Sequence, residues 1–173
     1  MKELTRVFLD LCAQDLGIKE AGKNRHPLID EFNKYCGVPL GSPYCLSAIM
    51  YRLNGACALL GLKNPIPKIA STQILFNTAP VKYIFLENPV AGEIGIMQSR
   101  ADPSRGHAFV VRHDKLVTDK TLLTLEYNTG PDLGRDGDGV YNKIRTMNGT
   151  STLKMRGFID LVSWVLSENG LES

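Results

Sequence analysis

Apolar residues recur at one spacing in the first part of this chain and at another in the second. Leu4, Val7, Phe8, Leu11 and Cys12 fall on one helical face, so Glu3–Leu16 reads as an amphipathic helix that Gly17 ends. Gly22–Arg25 is a turn. His26-Pro27 then opens a second helix, with proline at a tolerated first-turn position. Leu28, Ile29, Phe32, Tyr35 and Cys36 form its buried stripe, and Gly37 closes it. Val38–Tyr44 carries Pro39, Gly41 and Pro43 and reads as loop. Leu46, Ile49, Met50, Leu53, Cys57 and Leu60 mark a third helix. Ser42 and Pro43 are start signals for it, which places Cys45 in its first turn, and Gly61 ends it. Asn64–Thr78, with Pro65 and Pro67, is expected to cross the surface.

From about Lys82 the pattern becomes one of short β-branched and aromatic runs: Val81–Leu86, Glu93–Gln98, His107–His113, Leu122–Asn128, Val140–Arg145 and Lys154–Leu161. Turn signals separate them at Asn88-Pro89, Pro103-Ser104, Thr129-Gly130-Pro131 and Asn148-Gly149. Helices followed by strands predict an α+β domain, with the Cys45 helix packed on an antiparallel sheet. No repeat or low-complexity linker interrupts 1–173, so one domain is expected.

Composition narrows the classes. Of the 173 residues, 43% are hydrophobic and 22% charged, as in soluble globular proteins. A net charge of +2, with Lys and Arg scattered, does not support a nucleic-acid partner. The longest apolar stretch, near Ala56–Leu62, is far short of the ~20 residues that span a bilayer, so no membrane partner is expected. Met1–Lys19 alternates charged and apolar residues and does not read as a secretory signal. Cys12, Cys36, Cys45 and Cys57 form no C-x-x-C pair, which argues against a zinc site and for free thiols.

Cys45 is the first candidate for chemistry. An ordinary thiol, with a pKa of about 8.5, is mostly protonated at neutral pH. A helix N-terminus and a neighbouring imidazolium both favour the thiolate. The other three cysteines sit in helical apolar stripes, as small buried hydrophobes do. His107 follows Gly106 at the start of an apolar strand. Alternation puts His107, Phe109, Val111 and His113 on one face and Ala108, Val110 and Arg112 on the other. His113 lies roughly 20 Å further along the strand and cannot share a site with His107. His26 sits at a helix start. A third group must orient the imidazole. Glu126 and Asn128 share a face of their strand, opposite Leu123, Leu125 and Tyr127. A solvent-facing strand side would look the same.

The order of helix-borne Cys, strand-borne His and next-strand acid or amide resembles the CHAP group of peptidoglycan amidases and endopeptidases, papain-like and related in fold to the NlpC-type peptidases. The resemblance rests on several strings: Gly22–Arg25 with Ile29-Asp30, Gly41–Cys45, Ala91–Ile96, Arg105–Val110 and Leu125–Thr129. It spans roughly Leu11 to Phe158. It implies Cys45 as nucleophile, His107 as base, Glu126 as orienting acid and Asn128 as support. It further implies Asn24, Tyr44 and Tyr127 as substrate contacts, peptidoglycan as substrate, and catalysis by a monomer with no metal or cofactor. Tyr44 replaces the commoner Trp of relatives, and Gly95 stands where a β-branched residue is frequent. The Asp132–Asp138 string could bind calcium, as some relatives do. Its spacing departs from the EF-hand loop, and solvated carboxylates on a glycine-rich turn are the better reading. Trp164 reads as core.

Without a Sec signal, the chain is expected to be made in the cytoplasm and to reach the wall by lysis or injection, as an endolysin or as an effector with a delivery or immunity partner. Two other classes stay open. The same triad could serve a protein-directed protease, transamidase or deamidase toxin, or the fold could persist as a catalytically silent wall-binding module.

Overall fold

The computed structural model describes residues 2–113, 121–130 and 137–171. It is an α+β arrangement of five α-helices and a six-stranded antiparallel sheet. The helices are α1 (Glu3–Ala13), α2 (Pro27–Tyr35), α3 (Cys45–Leu59), α4 (Thr72–Thr78) and α5 (Leu161–Glu168). The strands are β1 (Ile84–Phe85), β2 (Ile94–Ser99), β3 (Gly106–Val111), β4 (Thr121–Thr129), β5 (Gly139–Thr146) and β6 (Leu153–Ile159), in the order β1-β6-β2-β3-β4-β5. Among the described residues no helix is long and apolar enough to cross a membrane.

α3 is the central helix. Leu46, Ala48, Ile49, Met50, Leu53 and Ala56 are fully buried, because α1 and α2 cover it on one side and β3 and β4 on the other. The sheet offers Ile94, Ile96, Ala108, Val110, Leu125, Tyr127 and Val140 to this main core. Its other face carries a second cluster of Met97, Phe109, Val111, Leu122, Leu153 and Phe158. The alternation expected along β3 therefore holds, and by the same parity His107 lies on the face of Phe109 and Val111.

Three elements depart from the expectation for their segments. The run Val81–Leu86, expected as a strand, opens with a 3-10 turn at Val81–Tyr83, and only Ile84–Phe85 pair, with β6. The stretch expected to cross the surface contains α4, capped by the Ser71 hydroxyl, which accepts from the Ile74 amide at 3.3 Å. The last strand ends at Ile159, and α5 follows with Asp160 as cap, accepting from Ser163 N at 2.8 Å. Trp164 on α5 stacks on Tyr83, ring centroids 5.9 Å apart, against the main core.

Gly95 now has a physical reason. It faces Phe109 across one strand pair and Phe158 across the other. A Cβ at that position would overlap the Phe109 ring. The two rings close over the strand where a side chain would stand, in edge contact at 6.3 Å. Gly95→Val is expected to destabilise the fold by about 3 kcal/mol, read as a lower denaturant midpoint with an unchanged slope.

Candidate active site

Cys45 occupies the first position of α3, where Tyr44 is the N-cap and supplies no side-chain hydrogen bond. The preceding loop is held by two buried amides. Asn24 Nδ2 donates to the Gly41 carbonyl at 3.0 Å, and Asn33 Nδ2 donates to the Ser42 carbonyl at 3.0 Å. Asn24 adopts φ 51°, a left-handed conformation that asparagine tolerates well.

His107 is buried near the start of β3, three residues before the β3–β4 ladder begins at Val110–Leu125. Its Nε2 lies 3.0 Å from Glu126 Oε2. Its Nδ1 has no hydrogen-bond partner of ordinary geometry, and the Cys45 thiol interacts with the same ring. With Nε2 committed to Glu126, Nδ1 is the nitrogen left to meet the sulfur.

The charges follow from these contacts. Burial alone would raise the Cys45 thiol, but hydrogen bonding from His107 and the imidazolium charge outweigh it and lower the pKa. The backbone amides of Ala108 and Leu46 act in the same sense. Burial opposes the His107 charge. Hydrogen bonds with Cys45 and Glu126 prevail and raise the imidazole to about 9. Burial would likewise raise Glu126, yet hydrogen bonds from Arg145 and then His107 hold it at about 2. The other thiols move the opposite way: burial raises Cys12 to about 12 and Cys57 to about 11, and raises Cys36 as well.

Arg145 went unnoticed in the sequence. It is fully buried on β5 and grips the carboxylate with two donors, Nε to Oε1 at 2.7 Å and Nη2 to Oε2 at 2.5 Å. The Thr124 hydroxyl donates to Oε1 at 2.7 Å. Glu126 thus presents one oxygen to the imidazole while Arg145 and Thr124 fix its plane.

The structure gathers Cys45, His107 and Glu126. Asn128 is buried beside them at a β-bulge, with φ 54°. Its side-chain Oδ1 and the Tyr44 hydroxyl are both buried without a hydrogen-bond partner among the described residues. The three residues expected to touch substrate are placed otherwise. Tyr127 is wholly buried; its hydroxyl donates to Asp15 Oδ2 at 2.8 Å, and Arg52 Nε donates to the same carboxylate at 2.7 Å. Tyr44 is also wholly buried, and Asn24 spends its amide on the loop before Cys45. Tyr44 and Tyr127, at 0% exposure, are enclosed by the fold and present no surface to a substrate, whereas Asn24 keeps 9% of its surface exposed.

A cavity of about 520 Å³ lies beside the nucleophile turn. Ser42 and Pro43 line it together with Ile69, Ala70, Ser71 and Ile74. In the same turn of α4, Gln73 Nε2 donates to the Met97 carbonyl of β2 at 3.0 Å and lies against Gly106 at the start of β3. Among the described residues no three His, Cys, Asp or Glu side chains are grouped so as to hold a metal ion. Most of the Asp132–Asp138 string is outside the described residues. Within its described part, Asp138 Oδ2 accepts from Lys19 Nζ at 3.0 Å.

Comparison of the chain with family models, with curated proteins and with solved structures returns no match.

Proposed function

We propose that the protein is a papain-like, CHAP-type cysteine hydrolase that cuts an amide bond of bacterial peptidoglycan. The observation that carries the reading is the buried line of Cys45, His107 and Glu126, with the sulfur at a helix N-terminus and its pKa lowered by the imidazole. A small buried thiol of purely structural use has no need of that environment, as Cys12 and Cys57 illustrate. The six-stranded sheet with the nucleophile helix against β3 and β4 fits the same reading, and so do the strings Gly41–Cys45, Arg105–Val110 and Leu125–Thr129.

The chemistry follows from the geometry. His107 takes the thiol proton and the Cys45 sulfur attacks the carbonyl carbon of the scissile amide. The amides of the first turn of α3 face the developing oxyanion. His107 returns its proton to the departing amine as the C–N bond breaks, leaving a thioester on Cys45. His107 then deprotonates a water that attacks the thioester, and the proton passes back to the sulfur. Glu126 keeps the imidazole in the tautomer and orientation that both transfers need. The cavity between Ile74 and Pro43, which lies two residues before Cys45 in the chain, is the proposed seat of the peptide.

Digestion of purified peptidoglycan, with the soluble fragments resolved by mass spectrometry, tests the reading. New amino termini or freed muramoyl lactyl groups are expected, and their masses identify the bond. An intact wall alongside a consumed or deamidated protein would instead place the triad in a protein-directed toxin. The pH profile is a second check. The leaving amine needs the imidazolium proton, so kcat/KM is expected to fall as pH rises through about 9, where His107 loses that proton.

A further inference from the structure

The chemistry assigned to Cys45 and His107 uses Arg145 to position Glu126 and leaves the effect of its buried charge on the reacting pair to be derived. Arg145 is 1% exposed, and its guanidinium is held against Glu126 rather than turned to solvent. An arginine keeps its charge at every accessible pH. A buried cluster settles in the protonation state closest to neutrality, because uncompensated charge in a low dielectric is costly.

Counting charges with and without Arg145 gives different answers. Glu126 beside His107 alone is neutral when the imidazole is protonated and the thiol still carries its own proton. Ionising the sulfur then leaves a net negative charge inside the fold. With Arg145 present, the carboxylate is already cancelled. Neutrality then requires one mobile proton between sulfur and imidazole, which is either the thiol–imidazole pair or the thiolate–imidazolium pair. Both are competent for attack, and the second proton is expelled.

We propose that Arg145 sets the proton count of the Cys45–His107 pair, its fixed charge cancelling the Glu126 carboxylate so that the reactive, singly protonated pair is the electroneutral state of the site. The inference rests on reading Cys45 and His107 as the reacting pair. Arg145 acts through its grip on Glu126 and through its field.

The other charges nearby are directed elsewhere. Arg52 on α3 is turned to Asp15. Lys143 on β5 reaches the Gly130 carbonyl. Glu20, below the nucleophile turn, interacts with Tyr44 and the Asn24 amide. α4 presents Thr72 and Gln73 toward Gly106, and neither titrates. Among the described residues, the leading charges acting on the Cys45–His107 pair are the pair itself and Glu126, and Glu126 in turn feels Arg145.

The test follows alkylation of Cys45 by iodoacetamide against pH, resolved by peptide mass spectrometry from the other three thiols. No wall substrate is involved, so the outcome is independent of which bond the enzyme cuts. Arg145→Met is expected to move the acid limb of the alkylation rate up by about one pH unit or more, a roughly tenfold loss of reactivity below the limb. The double variant Glu126→Gln/Arg145→Met lacks both charges and has no carboxylate to position. Its limb is expected to return to within about half a unit of the wild type. An Arg145→Met limb that coincides with the wild-type one, in a protein with a wild-type circular dichroism spectrum, overturns the proposal. Should Arg145→Met fail to fold, the double variant decides, and a limb displaced upward by about a unit or more overturns it.

Discussion

Cys45→Ala is expected to abolish wall digestion, with a loss of about 10⁴-fold or more in kcat, and to leave the fold in place. The two halves of this expectation have separate causes. The sulfur is the proposed attacking atom, and removing one member of a unit that acts together costs nearly the whole rate. The side chain is small and 6% exposed, at the rim rather than the centre of the main core. Its removal leaves Leu46, Ile49 and Met50 packed as before, so stability should stay within about 1 kcal/mol of the wild type. Wall turbidity clearance and a thermal melt on the same preparation separate the two. A variant that still clears the wall at the wild-type rate would remove Cys45 from the mechanism. Alkylation of the wild type supplies a control. Cys36 is the more exposed thiol, yet burial raises its pKa while His107 lowers that of Cys45. Cys45 should therefore react first at neutral pH.

The triad was legible because each member sits where periodicity and turn chemistry both speak. Cys45 follows a Ser-Pro start signal, His107 follows the glycine that opens β3, and Glu126 alternates with residues of the main core. α3 was equally plain, since its apolar positions repeat through several turns. The short helices were harder. α4 has seven residues and follows two prolines, so its local pattern resembles a loop until the Ser71 cap is noticed. α5 carried a usable signal in Asp160 followed three residues later by Ser163, with Leu161, Val162, Val165 and Leu166 behind it.

Arg145 was hidden by the hydropathy of its own strand. On β5 the apolar Ile144 is 53% exposed while the neighbouring Arg145 is 1% exposed, the reverse of what side-chain chemistry suggests. The inversion comes from the opposite strand: Leu122 faces Arg145, and one and two steps along the same face lie Thr124 and Glu126. A buried carboxylate attracts a buried cation, and that pairing is visible only once the register of β4 and β5 is known. Tyr44 and Tyr127 misled for the converse reason. Both are next to candidate catalytic residues in sequence, but alternation and the helix cap turn them inward, where Tyr127 packs edge-on against Phe32 at 5.8 Å.

Glu126→Gln should lose about 100-fold or more in kcat and about 3 kcal/mol in stability. The amide keeps the shape and can still accept from the imidazole, so the packing of β4 against β5 survives. What changes is charge. Arg145 loses its counter-ion inside the fold, and a buried cation beside a neutral amide is the costly half of a broken pair. Asn128→Ala, which leaves the carboxylate and its hold on His107 in place, should cost less rate. The acid side of the stability curve carries a sharper signature. Glu126 is held at about 2 in the fold against an ordinary value of 4.5. A depressed carboxyl contributes stability that is fully present above its unfolded value and is lost as pH falls through the folded one. The wild type should therefore lose stability from about pH 4.5 down to about 2. The Gln variant, with no proton to take up there, should show a flatter curve over the same window. Denaturant midpoints measured across that range decide the point. Parallel curves for the two proteins would mean that the carboxylate is not held ionised by Arg145, and both its role in steering His107 and the charge balance built on it would fail together.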